Sequence, residues 1–159
     1  MDQLEMTTTT PDAHQLTTID RTRAFILAGR AMFTLVSKKT GVRYTFRITQ
    51  PDDAKEHGPW FVKVLTGADN TSDYQYIGCM WRRGPMEVVF KTKAGANNTR
   101  IIGAFRWFMD TINAGDLAAF EQVEVWHAGR CGRCGRTLTV PESIETGLGP
   151  VCAGKEDWS

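Results

Sequence analysis

The spacing of three cysteines restricts the fold of this chain more than any other sequence feature. Cys131 and Cys134 are separated by two residues, and Cys152 follows after seventeen more. A two-residue spacing lets both sulfurs reach one ion from a tight turn, and zinc is commonly held in this way. The segment between Cys134 and Cys152 includes TVPESIETGLGP, which has the capping and breaking residues of a short helix followed by a sharp bend. We therefore predict a zinc knuckle to which Cys152 returns.

Tetrahedral zinc requires a fourth ligand, and His127, four positions before Cys131, is the first candidate. His14, near the N-terminus, and His57, in a predicted loop, are poorer choices. Two other interpretations of the cysteines remain open. A redox pair would begin a helix after a strand, whereas a strand-like segment follows here. Three unliganded thiols would leave the return of Cys152 unexplained.

The predicted zinc is structural rather than catalytic. A catalytic site keeps one coordination position open for water, beside a carboxylate base. Glu142 is near in sequence, but its position relative to Thr139 is that of a capping box, which explains it without chemistry. Cys79 lies inside a predicted strand and is interpreted as a buried thiol.

The middle of the chain has the hydrophobic pattern of an antiparallel sheet. Residues 42–48, VRYTFRI, alternate apolar and polar side chains, as a half-buried strand does. The predicted strands are residues 32–37, 42–48, 60–66, 73–81 and 86–93, and a further strand, FEQVEVW, leads to His127. These segments are joined by turn-forming residues, so we expect hairpins.

One amphipathic helix is predicted after the fifth strand. Its apolar residues recur at helical spacing and would cover one face of the sheet. They are Ile101, Ile102, Phe105, Phe108, Met109 and Ile112. Asn98 or Thr99 is expected to cap the helix, and Gly115 to end it.

The predicted fold class is α+β: a small antiparallel sheet packed by one helix, with a C-terminal zinc-knuckle module. Residues 1–20 are expected to be a disordered acidic tail. Residues 21–122 form the sheet and helix body, and residues 123–159 the Cys3His zinc module. No apolar run approaches the length of a membrane span, and the N-terminus does not resemble a secretion signal, so we expect a cytoplasmic protein.

The net charge of +1 conceals an uneven distribution. Residues 1–20 contain four acidic residues and no Lys or Arg, whereas residues 21–110 contain 15 Lys and Arg against 7 Asp and Glu. Residues 111–159 are again slightly acidic. The basic middle part indicates an anionic partner more clearly than the total does.

The C-terminal stretch CGRCGRTLTVPESIETGLGPVC resembles a small cysteine-rich domain family of unknown function that occurs in bacterial and phage proteins. The matching positions are Cys131, Cys134, Gly135, Arg136, Leu138, Thr139, Pro141, Ser143, Ile144, Gly147, Gly149, Pro150 and Cys152. The upstream stretches FTLVSKKTGVRYTFRI and PWFVKVLTGADNTSDYQYIG are similar to the sheet unit that precedes this cysteine-rich domain in stand-alone phage and prophage members. The resemblance implies structural Zn2+ and a mobile-element setting, with the host cytoplasm as location. It implies no reaction.

The first functional hypothesis is a non-enzymatic accessory protein that binds nucleic acid through a basic and aromatic face. A basic sheet face can follow phosphates while an exposed aromatic side chain stacks on a base. The predicted contacts are Arg43, Arg47, Trp81, Arg82, Arg83, Trp107, Arg133 and Arg136. These residues have simpler interpretations, because strand aromatics usually belong to a core and surface arginines are usually only solvated. For Trp107, which falls off the apolar stripe of its helix, the alternative is packing under the zinc module.

The second hypothesis is a protein-binding inhibitor or adaptor that acts on a host defence complex. A small body, an acidic tail and the lack of a catalytic cluster fit it equally well. An enzyme is the least favoured class, because the three histidines follow no nucleophile motif and no paired-carboxylate or phosphate-loop pattern is present. Asp52, Asp53 and Glu56 lie near His57 but in a proline-containing loop.

Overall fold

A computed structural model describes residues 14–51, 57–67, 73–84, 87–96 and 98–127. Within them the chain forms seven strands and three helices. In chain order these are β1 (Gln15–Leu16), α1 (Ile19–Ile26), β2 (Arg30–Ser37), β3 (Arg43–Thr49), β4 (Trp60–Leu65), β5 (Tyr74–Arg83), β6 (Glu87–Thr92), α2 (Thr99–Ala114), α3 (Leu117–Phe120) and β7 (Val123–His127). The class is α+β, as the sequence predicts. None of these helices has the length and apolar character that a membrane span requires.

The strands form one antiparallel sheet in the order β1-β7-β2-β3-β4-β5-β6. β2 to β6 follow one another as a meander, because each turn brings the next strand alongside the last. α2 then returns the chain across the sheet, and β7 pairs with β2 on the far side of the meander. The strands at residues 32–37, 42–48, 60–66, 73–81 and 86–93 are confirmed as β2 to β6.

The core lies on one face of this sheet, which we call the inner face. Phe33 and Phe46 face each other across β2 and β3 and are almost fully buried, together with Val62 on β4 and Phe90 on β6. α2 covers them with the predicted stripe, of which Phe105 and Phe108 are completely buried. Burying apolar area of this kind is the main stabilising contribution to such a fold.

The ends of α2 follow local chemistry. Gly115 follows the helix in the left-handed conformation, with a φ of 65°, which glycine adopts without a Cβ clash. At the other end Asn98 is the N-cap residue, but its side chain donates to Gln75 instead of capping the helix. The predicted helix, its start at Asn98 and its stop at Gly115 are therefore confirmed, whereas the Asn98 side chain does not make the expected capping bond.

The N-terminal part of the body differs from the sequence prediction. Gln15 and Leu16 form β1 beside β7, and α1 begins at Ile19, so ordered structure starts before residue 20. The side chain of Thr18 caps α1 by accepting a hydrogen bond from the Arg21 amide at 3.1 Å. Two helices, α1 and α3, were not predicted.

The boundary expected at residue 123 also differs. β7 was assigned to the zinc module, but it pairs with both β1 and β2 and is an internal strand of the main sheet. Val125 is completely buried in the common core. The body therefore extends at least through His127, and residues 128–159 lie outside the described residues.

Candidate nucleic-acid interface

The second face of the sheet, the outer face, carries the side chains that alternate with the core residues. On β4 the buried residues Trp60, Val62 and Val64 alternate with half-buried neighbours. The described helices all contribute to the core on the inner face. No element of the described part of the chain packs on the outer face, so its side chains form a broad half-exposed surface.

The outer face is rich in cations. The alternation and the strand register place six Lys and Arg side chains there against two carboxylates, Glu87 and Glu124. The six are Arg30, Arg43, Arg47, Lys63, Arg83 and Lys91. A surface with this excess of positive charge attracts polyanions.

Aromatic side chains lie among these cations. They are Phe61, Tyr74, Tyr76, Trp81 and Trp126. Trp81 is 44% exposed, and its neighbour across the β5–β6 pair is Val89. The rings of Phe61 and Tyr76 meet edge to face with their centroids 6.1 Å apart. Only Trp81 of this set was selected from the sequence as a stacking residue.

Arg47 and Tyr74 form a cation–π pair on this face. The guanidinium carbon of Arg47 lies 4.3 Å from the centroid of the Tyr74 ring. Burial raises the pKa of the Tyr74 hydroxyl, and the positive charge of Arg47 partly opposes this shift. Burial first, and then the neighbouring Cys79 thiol, raise the pKa of Tyr76. Both phenols therefore keep their protons at neutral pH.

A cavity of about 210 Å³ opens beside Tyr74. Its walls include Met32, Trp126 and the threonines Thr34 and Thr45, whose hydroxyl oxygens are 2.8 Å apart. The Tyr74 hydroxyl is shielded from solvent and has no hydrogen-bond partner among the described residues. An apolar cavity of about 150 Å³ is enough to hold a benzene ring. The space therefore suits one planar ring with polar substituents.

The arginines predicted as phosphate contacts separate into distinct groups. Arg43, Arg47 and Arg83 share the outer face with Trp81. Arg83 also pairs with Glu87, its cross-strand neighbour, at 3.0 Å, and the hydrogen bonds from Arg83 to this carboxylate raise the Arg83 pKa.

Two of the predicted contacts lie on the opposite side. Arg82 alternates with Trp81 and Arg83 and is paired with the buried Val88, so it belongs to the inner-face side of β5. Trp107 is 40% exposed, but it lies on α2, which covers the inner face. The predicted surface is therefore not one contiguous patch. Arg133 and Arg136 lie outside the described residues.

His127, the predicted fourth zinc ligand, ends β7 and is only 4% exposed. Its ring stacks on that of His14, with centroids 5.1 Å apart and planes 10° from parallel, and lies 5.7 Å from the Phe25 ring. His14, predicted to lie in the acidic tail, is a direct neighbour of His127 because β1 pairs with β7. No local sequence signal indicates this contact, because β1 has only two residues, Gln15 and Leu16.

The other predicted ligands, Cys131, Cys134 and Cys152, lie outside the described residues. Among the residues that the structure does describe, no three His, Cys, Asp or Glu side chains are grouped closely enough to hold a metal ion. Cys79, expected to be a buried thiol, is a free thiol on β5 that is only half-buried.

The comparison with known proteins bears on the C-terminal part of the chain. Residues 126–157 match the model of a family of unknown function (DUF6011). The match begins on β7 and includes all three clustered cysteines. No curated protein and no solved structure matches the chain.

Proposed function

We propose that this protein is a non-enzymatic accessory protein that binds single-stranded nucleic acid on the outer face of its sheet. The observation that supports this is the grouping of six cations and five aromatic side chains on one surface that no described element covers. Cations neutralise phosphates, and aromatic rings stack on bases irrespective of sequence.

A single strand suits this face better than a duplex. Its bases are free to leave the stack and lie on Trp81 or Phe61, whereas the bases of a duplex are hidden in its grooves. The cavity beside Tyr74 gives an additional place for one unstacked base. There the proton left over from the Thr34–Thr45 bond would meet the polar edge of that base.

The C-terminal segment enters this proposal as a zinc module held by Cys131, Cys134, Cys152 and His127. Bound there, Zn2+ would supply folding free energy rather than chemistry. The buried position of His127 at the end of an internal strand supports the role, because it gives the module one fixed ligand. Arg133 and Arg136 would then add phosphate contacts. The phage or prophage setting and the host cytoplasm remain part of the proposal.

The test is fluorescence anisotropy of the zinc-loaded protein with labelled single-stranded and double-stranded DNA and RNA over a salt series. We expect single strands to bind more tightly, with an affinity that falls linearly in log salt. Arg47→Met with Lys63→Met should lower both the affinity and the salt slope. Arg82→Met with Arg100→Met removes the same charge away from the outer face and is the matched control.

The tryptophans provide a second matched pair, because Trp81 and Trp107 are similarly exposed but lie on opposite sides of the molecule. Loss of one stacked base costs about 1–3 kcal/mol, so Trp81→Leu should weaken binding roughly 5- to 150-fold. Trp107→Leu should leave it unchanged. Absence of binding at low salt would overturn the proposal and favour the protein-binding inhibitor or adaptor, which a pull-down from host lysate would then examine.

A further inference from the structure

A larger cavity, of about 430 Å³, lies on the other side of the molecule from the outer face. It is formed where the turn between β2 and β3 meets α2 and the start of β7. Its apolar lining includes Leu35, Val42, Tyr44, Trp107 and Val123. Sites for small molecules occupy about 300–1,000 Å³ and are mostly apolar with a few placed polar groups, and this cavity meets both criteria.

Two apolar side chains in the walls of this cavity are open to solvent. Val42 is 47% exposed and Trp107 is 40% exposed, and both rank among the most exposed large apolar side chains of the described residues. Exposed apolar side chains contribute little burial free energy, so folding stability does not explain why these two lie beside the same cavity. Grouped exposed apolar surface marks a binding site.

The polar part of the lining favours an anion. Ser37 accepts a hydrogen bond from the Thr40 amide at 3.2 Å, and Thr40 accepts one from the Val42 amide at 3.2 Å. Because each hydroxyl uses only a lone pair in these bonds, each keeps its proton for a further acceptor. Lys39 adds a positive charge, and the described residues of the lining include no carboxylate.

We propose that this cavity binds a small amphipathic anion, with its aromatic or aliphatic body against Trp107 and Tyr44. Its acidic group, a carboxylate, sulfonate or phosphate, would accept hydrogen bonds from Lys39, Ser37 and Thr40. This site does not depend on the proposed nucleic-acid surface, since its residues belong to the turn after β2, to α2 and to the inner face.

The experiment uses the full zinc-loaded chain and the fluorescent probe 8-anilinonaphthalene-1-sulfonate, which is itself an aromatic anion. The bound probe is displaced in parallel by decanoate and by decanol, which share an alkyl chain and differ in charge. A charge-assisted hydrogen bond contributes about 1.5–3 kcal/mol, so decanoate should displace the probe at a concentration at least about tenfold lower.

Two variant pairs locate the site. Ala104 lies in the lining, so Ala104→Phe should fill the cavity and abolish probe binding, whereas Ala114→Phe, on the exposed end of the same helix, should not. Lys39→Met should remove the preference for decanoate over decanol, and its neighbour Lys38→Met should retain it.

Near-UV circular dichroism confirms that each variant is folded. If Ala104→Phe does not fold, Trp107→Leu replaces it, with an expected loss of probe affinity of about tenfold, and Trp81→Leu is its control. Equal displacement by decanoate and decanol, or probe binding that survives both Ala104→Phe and Trp107→Leu, would overturn the proposal. Neither result would affect the nucleic-acid proposal, whose affinity-lowering substitutions, at Arg47, Lys63 and Trp81, lie on the outer face.

Discussion

Asn113 occupies both backbone hydrogen-bonding groups of Val88 on the free edge of β6. The Val88 amide donates to Asn113 Oδ1 at 3.0 Å, and Asn113 Nδ2 donates to the Val88 carbonyl at 2.7 Å. A neighbouring strand would make the same two bonds. Arg106 extends the effect by donating to the Phe90 carbonyl at 3.3 Å. α2 thus protects an edge strand that would otherwise be open to pairing with another chain.

The first prediction concerns this edge. Asn113→Leu keeps the approximate shape of the side chain but leaves two backbone groups of Val88 unpaired, so we expect the free energy of unfolding to fall by about 1–3 kcal/mol. Association through β6 should increase. Urea denaturation measures the first effect, and size-exclusion chromatography with light scattering measures the second.

Asn98→Leu is the matched control, because Asn98, the N-cap residue of the same helix, makes an exposed side-chain bond to Gln75 on β5. Its effect should stay within about 0.5 kcal/mol. Equal effects of the two substitutions would show that the pairing with Val88 does not stabilise the edge.

The second prediction concerns the unpartnered hydroxyl of Tyr74. Tyr74→Phe removes a buried polar group that makes no hydrogen bond among the described residues, so the free energy of unfolding should be unchanged or higher by about 1 kcal/mol. Thr34→Val is the comparison, because it deletes one partner of the 2.8 Å bond to Thr45 and should cost about 1 kcal/mol. A comparable loss in both variants would mean that the Tyr74 hydroxyl has a stabilising partner.

The raised pKa of Tyr74 also predicts how the free energy of unfolding depends on pH. The pKa of Tyr74 is raised above its ordinary value of 10.0, chiefly by burial. The effect of Tyr74 ionisation on the free energy of unfolding is therefore absent below pH 10. The free energy of unfolding falls as the pH rises through the folded-state pKa, because the unfolded chain releases the proton first. Stability measured from pH 8 to 11 should decline less in Tyr74→Phe than in the parent protein. Parallel declines would show that other groups govern alkaline unfolding.

Alternation and helical spacing were sufficient to predict β2 to β6 and α2, because each of them buries one regular face. The two-residue period also separates Arg82 from Trp81 and Arg83, so its position on the other side of β5 was available from the sequence. The same period marks Phe61 and Lys63, which alternate with the buried residues of β4, as members of the outer face.

Other features required non-local information. α1 is short and polar, with Phe25 and Ile26 as its main buried apolar residues, and has no long stripe to detect. β1 has only two residues, and nothing local indicates that it pairs with β7. Consequently the contact between His14 and His127, which joins residues far apart in the chain, follows from sheet order alone.

The last prediction concerns zinc. Cys131→Ser should reduce the zinc content measured by inductively coupled plasma mass spectrometry from about one ion per chain, because three cysteines with this spacing act as a unit. Cys79→Ser, which changes a thiol on β5, should leave the content unchanged. Undiminished zinc in Cys131→Ser would contradict the assignment of the knuckle.

The fourth ligand is tested at the same time. His127→Cys supplies another zinc ligand at the same position and should retain the metal, whereas His127→Ala should weaken its binding by one or more orders of magnitude. Because metal binding is coupled to folding, chelation should also speed hydrogen exchange of the amides of Val123–His127 more than those of β4. His14→Ala distinguishes the two stacked rings: zinc retained in this variant and lost in His127→Ala identifies His127 as the ligand, and the reverse result assigns the role to His14.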